Sequence, residues 1–172
     1  MNHVRSLGLV VLLLHPLIAQ AQTCNNSVIH TTPNSRFVIN GEEVRDLQTG
    51  FIWQRCSLGQ TGSACAGTPY RYTWQDALQA GETARQTTGK AWRLPNIKEL
   101  DSIVENGCYE PSINSEIFPN TVSGGYWSAS KVPVQAEAWY MTFSLGYPWT
   151  TGTVWAPLNP PILYVRLVRD GE

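Results

Sequence analysis

Trp92-Arg93-Leu94-Pro95-Asn96-Ile97-Lys98-Glu99-Leu100 is the stretch from which the fold can be read. Pro95 has a fixed φ and no N–H, so it suits the entry to a helix and not its interior. Asn96, followed three positions later by Glu99, makes a capping-box-like pair. Ile97, Leu100, Ile103 and Val104 then recur at helical spacing, which predicts a helix ending near Asn106-Gly107 with one apolar face. Upstream, Ala77, Leu78, Gly81 and Ala84 follow Trp74 with the same period, between a Thr73 cap and a Gly89 stop. These features predict a first helix.

Further out on both sides the period falls to two. Residues 36–40, 43–46 and 51–56 read as short strands, the last two joined by Leu47-Gln48-Thr49-Gly50, whose glycine suits a turn with positive φ. Downstream, 126–130, 138–144 and 163–169 alternate in the same way; in the last, Leu163, Val165 and Leu167 oppose Tyr164, Arg166 and Val168. Two helices bracketed by a hairpin and by later strands predict an α+β domain with an antiparallel sheet. Trp53, Trp74, Trp127 and Trp139 fall on these elements and are expected in the core.

The N-terminus carries Arg5, an apolar run over 7–18, and Ala19-Gln20-Ala21, a small-x-small pattern. Residues 1–21 are therefore expected to be a signal peptide cleaved before Gln22. The apolar run is about a dozen residues, short of the roughly 20 that span a bilayer, so no stable membrane insertion is expected. Cys24 follows Ala21-Gln22-Thr23, which does not suit a lipidation site. Residues 22–35 read as an irregular polar leader and 36–172 as a single domain. The net charge of −1 becomes one unit more negative without Arg5, so no strong field draws in nucleic acid. Cys24, Cys56, Cys65 and Cys108, an even count in an exported chain, read as two disulfides, placing the protein in a secreted or periplasmic setting. Of the three possible connectivities, Cys56 with Cys65 is the local choice, leaving Cys24 with Cys108; the loop-entropy model gives them up to ~2.7 and ~4.6 kcal/mol. No CxxC pair is present and His30 alone follows the signal, so neither zinc nor any other metal or cofactor is expected.

Several segments in order carry a resemblance. They are Asp46-Leu47-Gln48-Thr49-Gly50-Phe51-Ile52-Trp53-Gln54, Thr73-Trp74-Gln75-Asp76-Ala77, the Trp92 to Leu100 stretch, Tyr126-Trp127-Ser128-Ala129-Ser130 and Tyr164-Val165-Arg166-Leu167-Val168-Arg169. From about Val44 to Arg169 the chain resembles the bacterial family of domains named for the C-terminal domain of the Legionella collagen-like adhesin. The motif positions are Asp46, Thr49, Gly50, Trp53, Trp74, Trp92, Arg93, Leu94, Pro95, Glu99, Leu100, Trp127, Arg166 and Arg169. More distantly, Arg93-Leu94-Pro95 with Glu99, and the Val-Arg-Leu-Val-Arg ending, are similar to formylglycine-generating enzymes. That similarity implies a C-type-lectin-like architecture. It does not bring their oxidase chemistry, because no cysteine follows Cys108.

Candidate sites are sparse. His30, in the leader, is poorly placed as a catalytic base, and Glu99, Asp101 and Glu105 read as a solvated helix face with a cap. Arg93 is expected to pair with an acid such as Glu99, while Arg166 suits a packed ion pair as well as a ligand contact. Glu110-Pro111-Ser112, with Asn114, Glu116 and Asn120 nearby, is loosely similar to a calcium-lectin motif but lacks its Trp-Asn-Asp partner. Residues 146–161 are uncharged and hold Tyr147, Trp149 and Trp155. Such aromatic faces suit stacking on sugar rings or burial at a protein interface, and equally a cover folded onto the domain itself. The expectation is an exported, non-catalytic binding module for a surface glycan or protein partner. The competing readings are a structural subunit of an envelope or secreted assembly, for which an oligomer is expected, and a hydrolase or oxidase.

Overall fold

The computed structural model describes residues 22–131, 138–144 and 162–171. In chain order its elements are β1 (Thr23–Cys24), β2 (Phe37–Asn40), β3 (Glu43–Asp46), β4 (Ile52–Gln54), α1 (Trp74–Thr88), α2 (Ile97–Ser102), β5 (Cys108–Tyr109), β6 (Gly125–Lys131), β7 (Ala138–Thr142) and β8 (Val168–Arg169). The largest sheet is antiparallel with order β2-β3-β4-β8, and the pairs β1-β5 and β6-β7 form two smaller antiparallel ones. The chain is thus α+β, as the change of period predicts.

Neighbouring residues of a strand face opposite sides, and β4 shows what that does here. Trp53 enters a cluster with Phe37, Val44, Val168, Leu100 of α2 and Ile103, the residue that caps it. Ile52, one residue earlier, packs instead with Trp92, Leu167 and the α1 residues Ala77 and Ala84. Two apolar clusters therefore lie on opposite faces of the sheet, with one helix contributing to each. The caps act as read: Thr73 Oγ1 accepts from the Asp76 N–H at 3.2 Å, and Asn96 and Glu99 exchange hydrogen bonds of 2.9 and 2.7 Å. Gly81 is tolerated inside α1 because a Cβ there would lie 3.1 Å from the Leu94 nitrogen, so the helix can rest directly on the Arg93-Leu94 backbone.

Three expectations change. The second helix stops at Ser102, because Val104 forms a bridge to Ile113 and Glu105 turns toward the leader. The last strand is broken: Leu163 bridges Tyr72, Tyr164 lies parallel to Tyr126, and only Val168–Arg169 joins the main sheet. Its alternation is correct, but both faces are buried, with Val165 and Leu167 in one cluster and Val168 in the other. The leader is only partly irregular, since it contains β1 and a 3-10 turn over Asn34–Arg36. Both disulfides form as the local pairing predicts, Cys24 with Cys108 and Cys56 with Cys65. Among the described residues no helix is long and apolar enough to cross a membrane.

Two buried carboxylates tie the leader down. Asp46 receives both Nε (2.7 Å) and Nη2 of Arg36, the Thr49 hydroxyl (2.7 Å) and the Gln48 N–H (3.0 Å), while Arg36 also donates to the Ser102 carbonyl of α2 (2.8 Å). Asp46, Thr49 and Gly50 are thus one device: the turn closes on the carboxylate, with Gly50 at φ 79°. Glu105 accepts from the Thr31, Thr32 and Gly107 amides and from the Thr32 hydroxyl at 3.1, 2.8, 2.9 and 2.7 Å. It is therefore not part of a solvated face. Burial pushes both carboxyls up, but hydrogen bonds outweigh it, from Arg36 and Thr49 at Asp46 and from Gly107 and Thr32 at Glu105, and both pKa values lie below the ordinary ones.

Replacing Asp46 by Ala leaves the Arg36 guanidinium, largely buried, without its partner. The expected cost is ~3–5 kcal/mol, read from urea unfolding followed by tryptophan fluorescence. Because both carboxyls have folded pKa values below their unfolded ones, their stabilisation is complete above the unfolded values and is lost as pH falls through the folded ones. Acidification below about pH 4.5 should therefore lower Tm and speed amide exchange over 31–36 before the sheet exchanges. Glu105→Gln should flatten that acid dependence.

Candidate functional site

A groove of about 270 Å³ opens where the β3–β4 ends, the loop after β4 and the end of α1 meet. Its lining includes Glu42, Glu43, Gln54, Ser57, Gly59, Gln60, Lys90 and Trp92. Glu43 is held between two cations, Lys90 and Arg169, the latter at 2.8 Å. Burial raises its pKa, yet the hydrogen bonds of Lys90 and Arg169 more than reverse this and keep it below the carboxylate range. Arg169 in turn lies 5.5 Å from the centre of the Trp92 ring, which is almost wholly buried. Glu42 Oε1 accepts from the Gly62 N–H at 2.9 Å. The wall is polar and already internally paired.

The loop that forms the other wall is fixed by geometry. Cys56–Cys65 closes it, the Gln60 side chain accepts from the Ser57 N–H (3.1 Å) and donates to the Asn120 carbonyl (2.9 Å), and Leu58 bonds Val165 and Tyr70 through its backbone. Gly59, at φ 98°, has no alternative, since a Cβ would stand 2.7 Å from the Tyr70 nitrogen. Leu58 also lines a shallower trough of about 460 Å³ along the Tyr72, Ala80, Thr83 and Ala84 side of α1.

Beneath the loop lies Arg166, fully buried. Its Nη1 donates to the Gln54 (2.9 Å) and Arg55 carbonyls, its Nη2 to Thr121 Oγ1 (2.8 Å) and Ser57 Oγ (3.4 Å), and its guanidinium stands 4.8 Å from the Phe118 ring centre. Ser57 Oγ also meets the Tyr126 hydroxyl at 2.9 Å. No carboxylate pairs with Arg166 among the described residues, so the packed ion pair that its position in the sequence allows is not formed. Burial lowers its pKa to about 10, partly offset by Tyr126. At neutral pH it remains a cation that carbonyls, hydroxyls and a ring solvate.

The other sequence candidates are structural in their contacts. Arg93 pairs with Glu99 at 2.8 and 2.9 Å as expected, and also with Asp170 at 2.8 Å. Glu99 caps α2, as its spacing from Asn96 predicts, and is buried. Trp53 and Trp127 are in the core, whereas Trp74 and Trp139 are half-buried. Asn114 donates to Thr32 O and Asn34, Glu116 accepts from Asn34, and Asn120 donates to Ala64 O, each at 2.6 to 2.9 Å. No group of three or more His, Cys, Asp or Glu could hold a metal ion among the described residues. His30 stands 3.5 Å from Glu105 in a leader cleft of about 310 Å³. Tyr147, Trp149 and Trp155 lie outside the described residues. The groove itself was missed in the sequence, because Glu43 and Arg169 are brought together by the pairing of β3, β4 and β8 and Lys90 arrives from the end of α1; their one signal was Arg169 as a motif position.

Fold and groove define the class: a disulfide-stapled α+β domain with a prearranged polar groove. Residues 42–169 match the family model of the Lcl C-terminal domain, and the chain belongs to that adhesin-related family. No curated protein and no solved structure matches it. The disulfides and the family are compatible with an extracellular or periplasmic location.

Arg166→Met should leave the Gln54 and Arg55 carbonyls and Thr121 short of donors, at about 1–3 kcal/mol per buried group. Chemical denaturation should show the loss, and faster amide exchange at Ser57 to Gln60 should localise it to the groove wall. Arg166→Lys should recover only part of it, because one ammonium cannot reach both sides of the fork.

Proposed function

We propose that the chain is an exported, non-catalytic binding module whose groove takes an uncharged surface glycan. Family membership carries this reading: residues 42–169 belong to a domain family named for an adhesin. The groove chemistry supports it. Acid–base catalysis by two carboxylates needs one of them protonated near neutrality, yet Glu43 is held ionised by Lys90 and Arg169. Prearranged carboxylates, amides and an ammonium suit the hydroxyls of a neutral sugar, which offers both donors and acceptors. A polyanion suits the protein less well, given a net charge of −1. Cleavage of residues 1–21 and export follow in this reading, with Gln22 docked on the Pro111 carbonyl at 2.6 Å. The architecture is taken as C-type-lectin-like, and Tyr147, Trp149 and Trp155 as further contacts.

A neutral-glycan array probed with the purified protein tests the proposal. Binding is expected, and Thr88→Trp, at the exposed groove rim, should weaken it at least ~10-fold. Binding that survives Thr88→Trp but is lost in Trp149→Ala and Trp155→Ala would move the site to 146–161, and no binding to any neutral glycan would sink the ligand assignment.

A further inference from the structure

The main sheet has two edges, and they differ. On the β8 side, Val168 and Arg93 exchange backbone hydrogen bonds of 2.9 and 3.0 Å, so that edge is occupied. β2 forms the other. The Arg55 N–H bonds the Glu42 carbonyl at 2.8 Å, which makes Glu43–Gln54 a non-hydrogen-bonded pair and turns Glu43's own N–H and C=O toward Asn40. By alternation Val38 faces β3 as well, while Phe37 and Ile39 point their backbone groups outward. The Phe37 N–H is taken by the Asn34 carbonyl. Among the described residues, the Ile39 N–H and C=O and the Phe37 C=O have no partner, and neither does the Gly41 N–H.

The side chains do nothing to guard this edge. Val38 and Ile39 are 49% and 43% exposed, and Leu47, bonded to the adjoining Arg36 carbonyl, is 57% exposed. No lysine, proline or bulge interrupts Phe37–Asn40, although these are the usual devices that keep a free edge from pairing.

We propose that β2 is a self-association edge, on which two copies of this chain pair antiparallel about a two-fold axis at Ile39. That register matches the free groups. Ile39 exchanges both hydrogen bonds with the second copy's Ile39, and each Phe37 carbonyl receives the Gly41 N–H from across the axis. A frame centred on Val38 opposes Phe37 to Ile39 and leaves the Ile39 C=O without a donor, because the Phe37 N–H is held by Asn34. One short strand buries much less than the roughly 1,600 Å² of a standard interface, so the dimer is weak and concentration-dependent.

Sedimentation equilibrium of the purified, oxidised protein from about 10 µM to about 1 mM tests this. The apparent mass should rise toward twice the monomer, and Ile39→Lys should hold it at one subunit. Ile39→Cys adds one thiol to a chain with no free cysteine among its described residues, and places it at the axis, where paired Cα atoms stand about 5.5 Å apart. Mild oxidation should give a disulfide-linked dimer at least ~10-fold faster with Ile39→Cys than with Val38→Cys, which faces Asn40. A wild type that stays monomeric throughout, or cross-linking through residue 38 as fast as through 39, overturns the proposal.

Discussion

The Arg166 guanidinium organises the space between the last segment of the chain and the loop that forms one groove wall. Taking a cation out of water costs several kcal/mol even after relaxation. Here the cost is met by the Gln54 and Arg55 carbonyls, the Ser57 and Thr121 hydroxyls and the Phe118 ring. Those groups belong to β4, the loop after it and the approach to β6. This charge, together with the Gln60–Asn120, Asn120–Ala64 and Arg55–Ile117 hydrogen bonds, fixes these segments to one another. The chain in turn has little freedom to relocate the groove wall without exposing or stranding that charge.

The same economy of polar groups explains what could be read beforehand. Helix caps, hairpin turn and disulfide pairing depend on residues close in sequence, so Thr73, the Asn96–Glu99 pair, the turn at Gly50, and Cys56 with Cys65 were legible. The fates of Glu105 and Arg166 were not. Both are charged residues that become buried through partners 45 to 112 positions away, and alternation says only which side they face. The second helix was overestimated for the same reason. Its apolar period continues through Val104, but the long-range bonds of Glu105 to the leader compete with another helical turn and win.

The leader shows how far those distant contacts reach. Residues before 42 fall outside the family match, yet they are stitched to the domain by the Cys24–Cys108 bridge, by Arg36 on Asp46 and Ser102, and by Thr31 and Thr32 on Glu105. The leader therefore behaves as part of the folded unit and not as a tether pinned at one cysteine. Since β2 follows directly from it, the clamp also determines how the free sheet edge is presented.

Charge placement bears on function as well as stability. Of the carboxylates that sequence spacing offers as catalytic candidates, Glu99 is spent on Arg93 and a cap, and Glu105 on backbone amides. Glu43, which lines the groove, is neutralised from two sides. Glu43 and Glu105 are stabilised as anions, the opposite of what a general acid requires. The interactions that pair these carboxylates are thus the ones that hold the leader, α2 and the groove wall in place.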